Sequence, residues 1–336
     1  MLAQFQGDTA DEIWRQAAAA LTGKGSYLRQ ASRLGSTREL LHCTFHLHDP
    51  RQRWVLSRRP ALNPAFAIAE VVWILLGRND AGFLNFWNPL LPKFAGKGET
   101  YNGAYGHRLR VNMGIDQLER AYRVLTRNPS SRQVILQIWD GALDLPNEDG
   151  SPRSEDIPCN VVAMPKVRAG RLEWLQVMRS NDLFLGTPHN FIQFTTLQEV
   201  MAGWLGLEVG SYVQVSDSLH LYEHDMTKVQ IAHIPPTVRN PDRLGLPKPE
   251  SDAVLRTMGA AMDRLRDPAL SRNEFHWACE QGLPLGWQNL LRVTAADAAR
   301  RRGWIEEMTA AADSCENEVL RAVWGSWVGR HALVSQ

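Results

Sequence analysis

The chain has no apolar run of 18 residues, which excludes a helix long enough to span a bilayer. Its opening, MLAQFQGDTADEIW, has neither a basic n-region nor an apolar h-region, so no secretory signal is expected. Cysteine is scarce. Cys43, Cys159, Cys279 and Cys315 are scattered with no CxxC pair, which argues against a zinc site or any other metal centre and against a disulfide scaffold, and fits a reducing cytoplasm. An excess of charge of one sign is also missing. Lys and Arg number 37 against 36 Asp and Glu, so no global attraction to nucleic acid is expected, although a local basic pocket for one small anion is allowed. Internal repeats and low-complexity tracts are absent. Trp is plentiful, 12 in 336 residues, and its ordinary use is core and interface packing. The length implies two domains, or one large α/β or α+β domain with an appendage, and is enough to bury a sizeable core.

Hydrophobic periodicity predicts a helix, or a helix plus turn, over 10–30 and a turn at SRLGSTREL. LLHCTFHLHD alternates as a strand does, and PAFAIAEVVWILLGRND suits a buried helix. WNPLLPKFAGKGETYNGAYGHRLR is rich in Gly and Pro and is predicted as loop. In DQLERAYRVLTRNP, Asp116 is placed to cap a helix with Leu118, Ala121, Tyr122 and Leu125 on its apolar face and Pro129 beyond its end. RQVILQIWD is predicted as a strand. Two further strands flank the RAG turn, a long buried helix follows from PHNF to a terminal Gly, and SYVQVSDSLHLYEHD is another strand. IPPTVRNPDRLGLPKPESD is a Pro-rich linker, and residues 251–330 have helical spacing of Ala, Arg and Leu.

Three features carry chemistry. Cys159 follows a Pro and opens an apolar strand, as either a nucleophile or a small buried hydrophobe. Arg33, Arg132, Arg179 and Ser180 sit at loop and strand ends, where Arg forks and a hydroxyl suit a phosphate; solvated or ion-paired surface arginines are the other reading. His220 and Tyr222, two apart on a strand, point to one face, as ligand contacts or as core packing.

Together these features have the order and spacing of thymidylate synthase. The stretch from PCNVVAMPKVRAG through RSNDLFLGTPHNFIQF to SDSLHLY resembles that family almost continuously, and NPSSRQVILQIW, GAYGHRLR, EVVWILLGRND and SRLGSTREL extend the resemblance over roughly residues 25–230. The resemblance implies an α+β, three-layer fold with a central, mostly antiparallel sheet and a long buried helix. Residues 1–230 would form the catalytic domain and 231–336 a linker and helical C-terminal extension. It further implies that Cys159 attacks C6 of a pyrimidine nucleoside 5′-monophosphate, so that C5 takes the one-carbon unit of 5,10-methylenetetrahydrofolate. Arg charge nearby would favour the thiolate. Arg33, Arg179 and Ser180 would bind the 5′-phosphate, with Arg132 supplied across a homodimer. Asn190 would read the base edge, and His220 and Tyr222 would hold the 3′-hydroxyl. Asp182, Gly186 and Trp87 would line the folate site. Glu70 would organise water and protons, and Tyr105 would orient the proton-abstracting water. Neither a nucleic acid nor a membrane is implied as a partner.

Several positions depart from the family pattern. Asn160 replaces the His that follows the nucleophile, Gln133 replaces a second phosphate Arg, and His189 replaces the aromatic residue before Asn190. SDSLHLY replaces Gly-Asp-x-His-x-Tyr, moving Asp217 one residue from its usual distance to His220. About a hundred residues follow where a synthase ends in a short apolar tail that dries the site during hydride transfer. Without that tail, water is expected to capture the methylene, as in the hydroxymethylases that share this fold. A 5-hydroxymethyl product is therefore favoured. An ordinary dUMP-to-dTMP synthase and an inactive nucleotide-binding protein are the alternatives. Asn190 is the residue of uracil-specific members; the choice among dUMP, dCMP and CMP, and the sugar preference, stay open.

Overall fold

The computed structural model describes residues 3–25, 27–32, 35–230 and 237–332. Eight strands form one sheet: β1 (Gln4–Gly7), β2 (Leu28–Ser32), β3 (Gly35–Leu47), β4 (Leu136–Gln137), β5 (Asn160–Arg168), β6 (Arg171–Met178), β7 (Asn181–Asp182) and β8 (Glu208–Tyr222). The order is β1-β3-β8-β6-β5-β4, with β2 added to β3 and β7 to β8. The β2–β3, β3–β8, β5–β6 and β4–β5 pairs are antiparallel, whereas β1–β3, β6–β8 and β7–β8 are parallel. The sheet is thus mixed, with antiparallel pairs in the majority. The RAG segment turns between β5 and β6 with positive φ at both Ala169 (47°) and Gly170 (73°), the backbone whose twist matches a two-residue hairpin.

Alternation decides the faces. On β6, Leu172, Trp174, Gln176 and Met178 point inward, while Leu175 and Val177 stay half-exposed on the opposite face. The Gly186–Leu205 helix lies against the inner face and is buried on nearly all sides. Several of its polar residues bind other parts of the chain. Gln198, for example, donates to the carbonyls of Leu172, Gly210 and Ser211 at 2.8–3.2 Å and so joins the starts of β6 and β8. The Pro64–Leu75 helix, capped by Asn63, packs across the central helix.

Helices Lys248–Leu265, Leu285–Arg301 and Glu318–Ala332 pack in turn on Pro64–Leu75. The change of texture near residue 230 does not separate two cores: Trp287, Leu291 and Trp324 belong to the same apolar cluster as Ile68 and Val72. Close approach makes the docking specific. A Cβ at Gly203 would lie 2.3 Å from the backbone nitrogen of Leu246, so only glycine lets the linker run flush against the central helix. Trp204 Nε1 then reaches Ser251 Oγ (2.8 Å) and Trp287 Nε1 reaches the Leu244 carbonyl (3.1 Å). Nine of the 12 Trp side chains are buried, which agrees with the packing reading.

Some local expectations change. SRLGSTREL is not simply a turn: β2 and β3 are a hairpin pair down to Ser32 and Gly35, and Arg33 and Leu34 between them lie outside the described residues. RQVILQIWD narrows to the two paired residues of β4, and the Gln117 side chain takes both the amide (2.7 Å) and the carbonyl (2.9 Å) of Gln137 on the edge away from β5. The Gly- and Pro-rich stretch before Asp116 contains short helical turns at Pro92–Ala95 and from Tyr105 to Asn112.

Candidate active site

Cys159 immediately precedes β5 and is half-buried. Its carbonyl accepts from the Arg179 amide (2.9 Å), which ties the start of β5 to the end of β6. The Arg179 guanidinium folds back over it. Nε donates to the Pro158 carbonyl (2.9 Å), Nη2 to the Ile157 carbonyl (3.1 Å), and Nη2 lies 4.0 Å from Cys159 Sγ. Trp139 stacks beneath the guanidinium at 5.3 Å. Arg179 has no carboxylate partner among the described residues, so its charge is available to a ligand anion. The thiol does not gain from this as far as the sequence suggested. Burial raises the Cys159 pKa, Arg179 only partly opposes it, and Asp156 and Asp182 add to the rise.

Tyr105 is brought to the same place by a tight contact. A Cβ on Gly106 would sit 2.2 Å from the Ile74 carbonyl oxygen, so the turn carrying Tyr105 presses on the backbone of the Pro64–Leu75 helix as only glycine permits. On that helix Glu70 is the single residue that is not fully buried, and the single charged one. The Tyr105 hydroxyl lies within electrostatic reach of Cys159, Asp156 and Glu70, with the Asn160 side chain nearby. Burial pushes the Tyr105 pKa far up, with Cys159 adding to the rise, so the group is a neutral phenol. Asp156, three residues before the nucleophile, escaped the sequence reading. Its Oδ2 accepts from the Gly103 amide (2.6 Å), fastening the Tyr105 turn to the segment that carries Cys159. Its position in SEDIPC was the available signal.

Asn190 is buried on the first turns of the central helix, and its Nδ2 donates to Asn181 Oδ1 at 3.1 Å. Asn181 is framed in turn by Thr187 Oγ1 (2.9 Å) and Ser216 Oγ (3.0 Å). On the neighbouring strand Gln176 donates to Asn160 Oδ1 (3.0 Å). The inner wall near Cys159 and Asn190 is therefore built of amides and hydroxyls. His189, beside Asn190, places Nδ1 2.7 Å from Glu70 Oε2. The His220 and Tyr222 rings meet edge to face at 5.5 Å, and the Tyr222 hydroxyl lies 3.0 Å from Ser32 Oγ. Asp182 is paired in register with His220, and its Oδ1 accepts from the amides of Phe184 (2.7 Å) and Leu185 (2.8 Å). Burial raises the Asp182 pKa against the pull of those amides and of His220.

Cys159, Glu70, Tyr105 and Arg179 thus converge, with Asn190 tied to them through His189 and Glu70. Ser180 follows Arg179 and is half-buried. Arg33 lies outside the described residues, and Arg132 is exposed in the connection ahead of β4, so a three-arginine cluster is not formed within the described part of one chain. Gly186 opens the central helix beside Asn190 and Asp182, with room for a Cβ at 3.5 Å or more from each neighbour. Trp87 needs correction. Its side chain is 0% exposed and its ring meets Phe86 edge to face, while Arg301 of the extension donates to the Trp87 carbonyl. It presents no surface to a ligand in this fold.

The sequence model of the family described as thymidylate synthase matches residues 32–251. The chain belongs to the thymidylate synthase family. Among curated relatives, it is 34% identical over 232 residues to a deoxyuridylate hydroxymethyltransferase of Bacillus phage SP01, covering 66% of this chain and 59% of that protein. It is 34% identical over 182 residues to the protein of that name from Pseudomonas phage M6 (54% of this chain, 50% of the relative). A third, from Delftia phage PhiW-14, is 29% identical over 203 residues (57% and 55%). The chain spans between half and three fifths of the length of the relatives it matches. The thymidylate synthase match runs past residue 230 into the Lys248–Leu265 helix, in keeping with the shared core. No helix among the described residues is long and apolar enough to cross a membrane, and no three His, Cys, Asp or Glu side chains there gather as a metal site.

An unpaired guanidinium beside a family nucleophile makes a direct test. Arg179→Ala is expected to raise the dissociation constant for a pyrimidine nucleoside monophosphate by roughly one to two decades, since a charge-assisted contact is worth about 1.5–3 kcal/mol. Alkylation of Cys159 in the free protein should speed up as pH rises through the thiol pKa. It should be slower in Arg179→Ala at any one pH, because removing the cation raises that pKa further. Unchanged nucleotide affinity by calorimetry would remove Arg179 from the phosphate site.

Proposed function

We propose that this protein transfers the one-carbon unit of 5,10-methylenetetrahydrofolate to C5 of a pyrimidine nucleoside 5′-monophosphate, dUMP foremost, and releases the 5-hydroxymethyl nucleotide and tetrahydrofolate. The observation that carries the reading is the convergence of Cys159, Arg179, Tyr105 and Glu70 on a wall of polar side chains that includes Asn160 and His189. The relatives named deoxyuridylate hydroxymethyltransferase support both the base and the product.

Cys159 Sγ adds to C6, and the electron pair displaced onto C5 and the 4-oxo group forms the bond to the incoming one-carbon unit. Loss of the C5 proton and of tetrahydrofolate leaves a methylene on C5, conjugated with the C4 carbonyl. Hydride and water compete for that carbon. A polar wall holds water by hydrogen bonds and favours the second. Asn190 Nδ2 already donates to Asn181; its Oδ1 and second N–H remain for the N3–H and O4 of uracil. Asp182, beside the open backbone of Gly186, offers an acceptor to the N–H groups of a pterin, and Leu185, 40% exposed, offers apolar cover. His220 and Tyr222 face the sugar, and Ser180 adds a donor for the phosphate.

The functional unit in this reading is a homodimer, with Arg132 reaching the partner's phosphate. The outer sheet face, where Met164, Leu175, Val177, Val213 and Val215 are half-exposed, suits a two-fold contact. Sedimentation of a monomer at micromolar concentration, with full activity, would exclude it. The four unpaired cysteines fit a cytoplasmic location.

Mass analysis of the nucleotide after incubation with methylenetetrahydrofolate and, separately, dUMP, dCMP, UMP and CMP decides the product. A hydroxymethyl product and no absorbance rise from dihydrofolate are expected. A rise matched one-to-one by dTMP would establish methyl transfer instead, and no turnover with any of the four would leave only a nucleotide-binding role.

A further inference from the structure

We infer that Glu70 and His189 form a proton-accepting pair that activates the water which becomes the 5-hydroxyl group. The inference rests on the hydroxymethyl reading above and assigns the step that separates that product from a methyl one.

The geometry is specific. Glu70 Oε2 and His189 Nδ1 lie 2.7 Å apart, the contact of a carboxylate with an imidazole. Both atoms are buried, and neither has a hydrogen-bond partner of good geometry among the described residues, so the electrostatic contact with the other is what each has. Glu70 is the only charged residue on an otherwise buried helix, and its carboxylate is placed to act as counter-ion to a protonated His189. Phe66, one turn earlier on the same helix, sets its ring edge against the imidazole at 5.2 Å. His189 is thus contacted by two residues of one rigid element. Nε2, the ring nitrogen that does not face Glu70, is left to take a proton from an incoming hydroxyl, and the carboxylate in contact with the ring favours the imidazolium that results. The pair is not sealed off: the side chains keep 18% and 17% exposure, enough for solvent to reach the ring. Its place is also right. His189 adjoins Asn190, and Glu70 and Cys159 both lie within electrostatic reach of Tyr105.

The step balances without an oxidant. The water oxygen bonds to the methylene carbon, and the π electrons move through C5 to the C4 oxygen. The water proton passes to His189 Nε2. The enolate electrons then rebuild the C5–C6 double bond and expel the Cys159 thiolate. The one-carbon unit keeps its oxidation level, and tetrahydrofolate, already released, takes no further part. Glu70 stays ionised and steadies the imidazolium.

His189→Gln and His189→Phe test this against the wild-type protein with dUMP and methylenetetrahydrofolate in single turnover. Three readouts are taken: tritium release from 5-tritiated dUMP, the mass of the nucleotide product, and the intact mass of the protein. Tritium release comes before water addition and is expected within about threefold of wild type. Formation of 5-hydroxymethyl nucleotide is expected to fall about 100-fold, the scale of a lost general base. A Cys159-linked adduct carrying the nucleotide plus one carbon should accumulate. Gln is the safer replacement, since it keeps a polar contact to Glu70 and cannot relay a proton, so a folding defect in His189→Phe leaves the test standing. Hydroxymethyl formation at near wild-type rate in His189→Gln would overturn the inference, as would a parallel loss of tritium release. Failure of the underlying reading looks different: the wild-type protein itself would make 5-methyl nucleotide and dihydrofolate.

Discussion

Cys159→Ala is expected to lower turnover by on the order of 10⁴-fold or more, since removal of a covalent nucleophile takes away the whole path that runs through it. Nucleotide binding should stay within a few-fold of wild type, because Arg179, Ser180 and Asn190 are held by contacts that do not use the thiol. Arg179 is fastened by the carbonyls of Pro158 and Ile157, and Asn190 by Asn181. The other cysteines provide the control. Cys43, Cys279 and Cys315 are buried, and burial pushes their thiols up to about 12, 12 and 11, with no guanidinium nitrogen set against the sulfur as that of Arg179 is at Cys159. Their alanine variants should turn over normally wherever they fold, at a stability cost set by the small volume removed. Steady-state kinetics together with calorimetric nucleotide titration reads both halves. Turnover by Cys159→Ala within tenfold of wild type would remove the covalent mechanism.

Gly106→Ala should be among the most damaging single-methyl additions in the molecule. The new Cβ would sit 2.2 Å from the Ile74 carbonyl oxygen and 2.5 Å from its Cα, both backbone atoms of a buried helix. Overpacking in a core costs about 1–3 kcal/mol where side chains can give way; here none can, so a loss above about 3 kcal/mol is expected. Activity should suffer beyond stability. The only relief is to lift the Tyr105 turn off the Pro64–Leu75 helix, which separates the phenol from Glu70. Denaturant unfolding and kcat measured on the folded fraction separate the two effects. An unchanged unfolding midpoint would mean that the two helices do not meet as closely as described.

Much of the candidate site could be proposed from the order of residues. Cys159 sits between a proline and an apolar alternation, the central helix ends in a glycine after a long, largely apolar run, and the Asp116 cap and the RAG turn obey local rules. Such features depend on neighbours in sequence, which is why period and spacing reveal them. The family resemblance added roles for Glu70, Tyr105 and Asn190, whose residue types alone say nothing about one another across 120 positions.

Tertiary structure decided the rest. Trp87 reads as a ligand-facing aromatic until its side chain is found fully buried, and β4 reads as a full strand until pairing is found at Leu136 and Gln137 alone. Asp156 and Asn181 look like loop polar residues, yet one fastens the Tyr105 turn and the other orients the Asn190 amide. The extension reads as an appendage, but Gly203 and the shared apolar cluster make it part of the same core, buttressing the helix that carries Glu70. The common reason is physical. A buried polar group is defined by the partner that satisfies it, and a close approach by the atom on the other side. Both partners come from remote parts of the chain, as His189 and Glu70 do, so neither residue type nor spacing announces them before the backbone has folded.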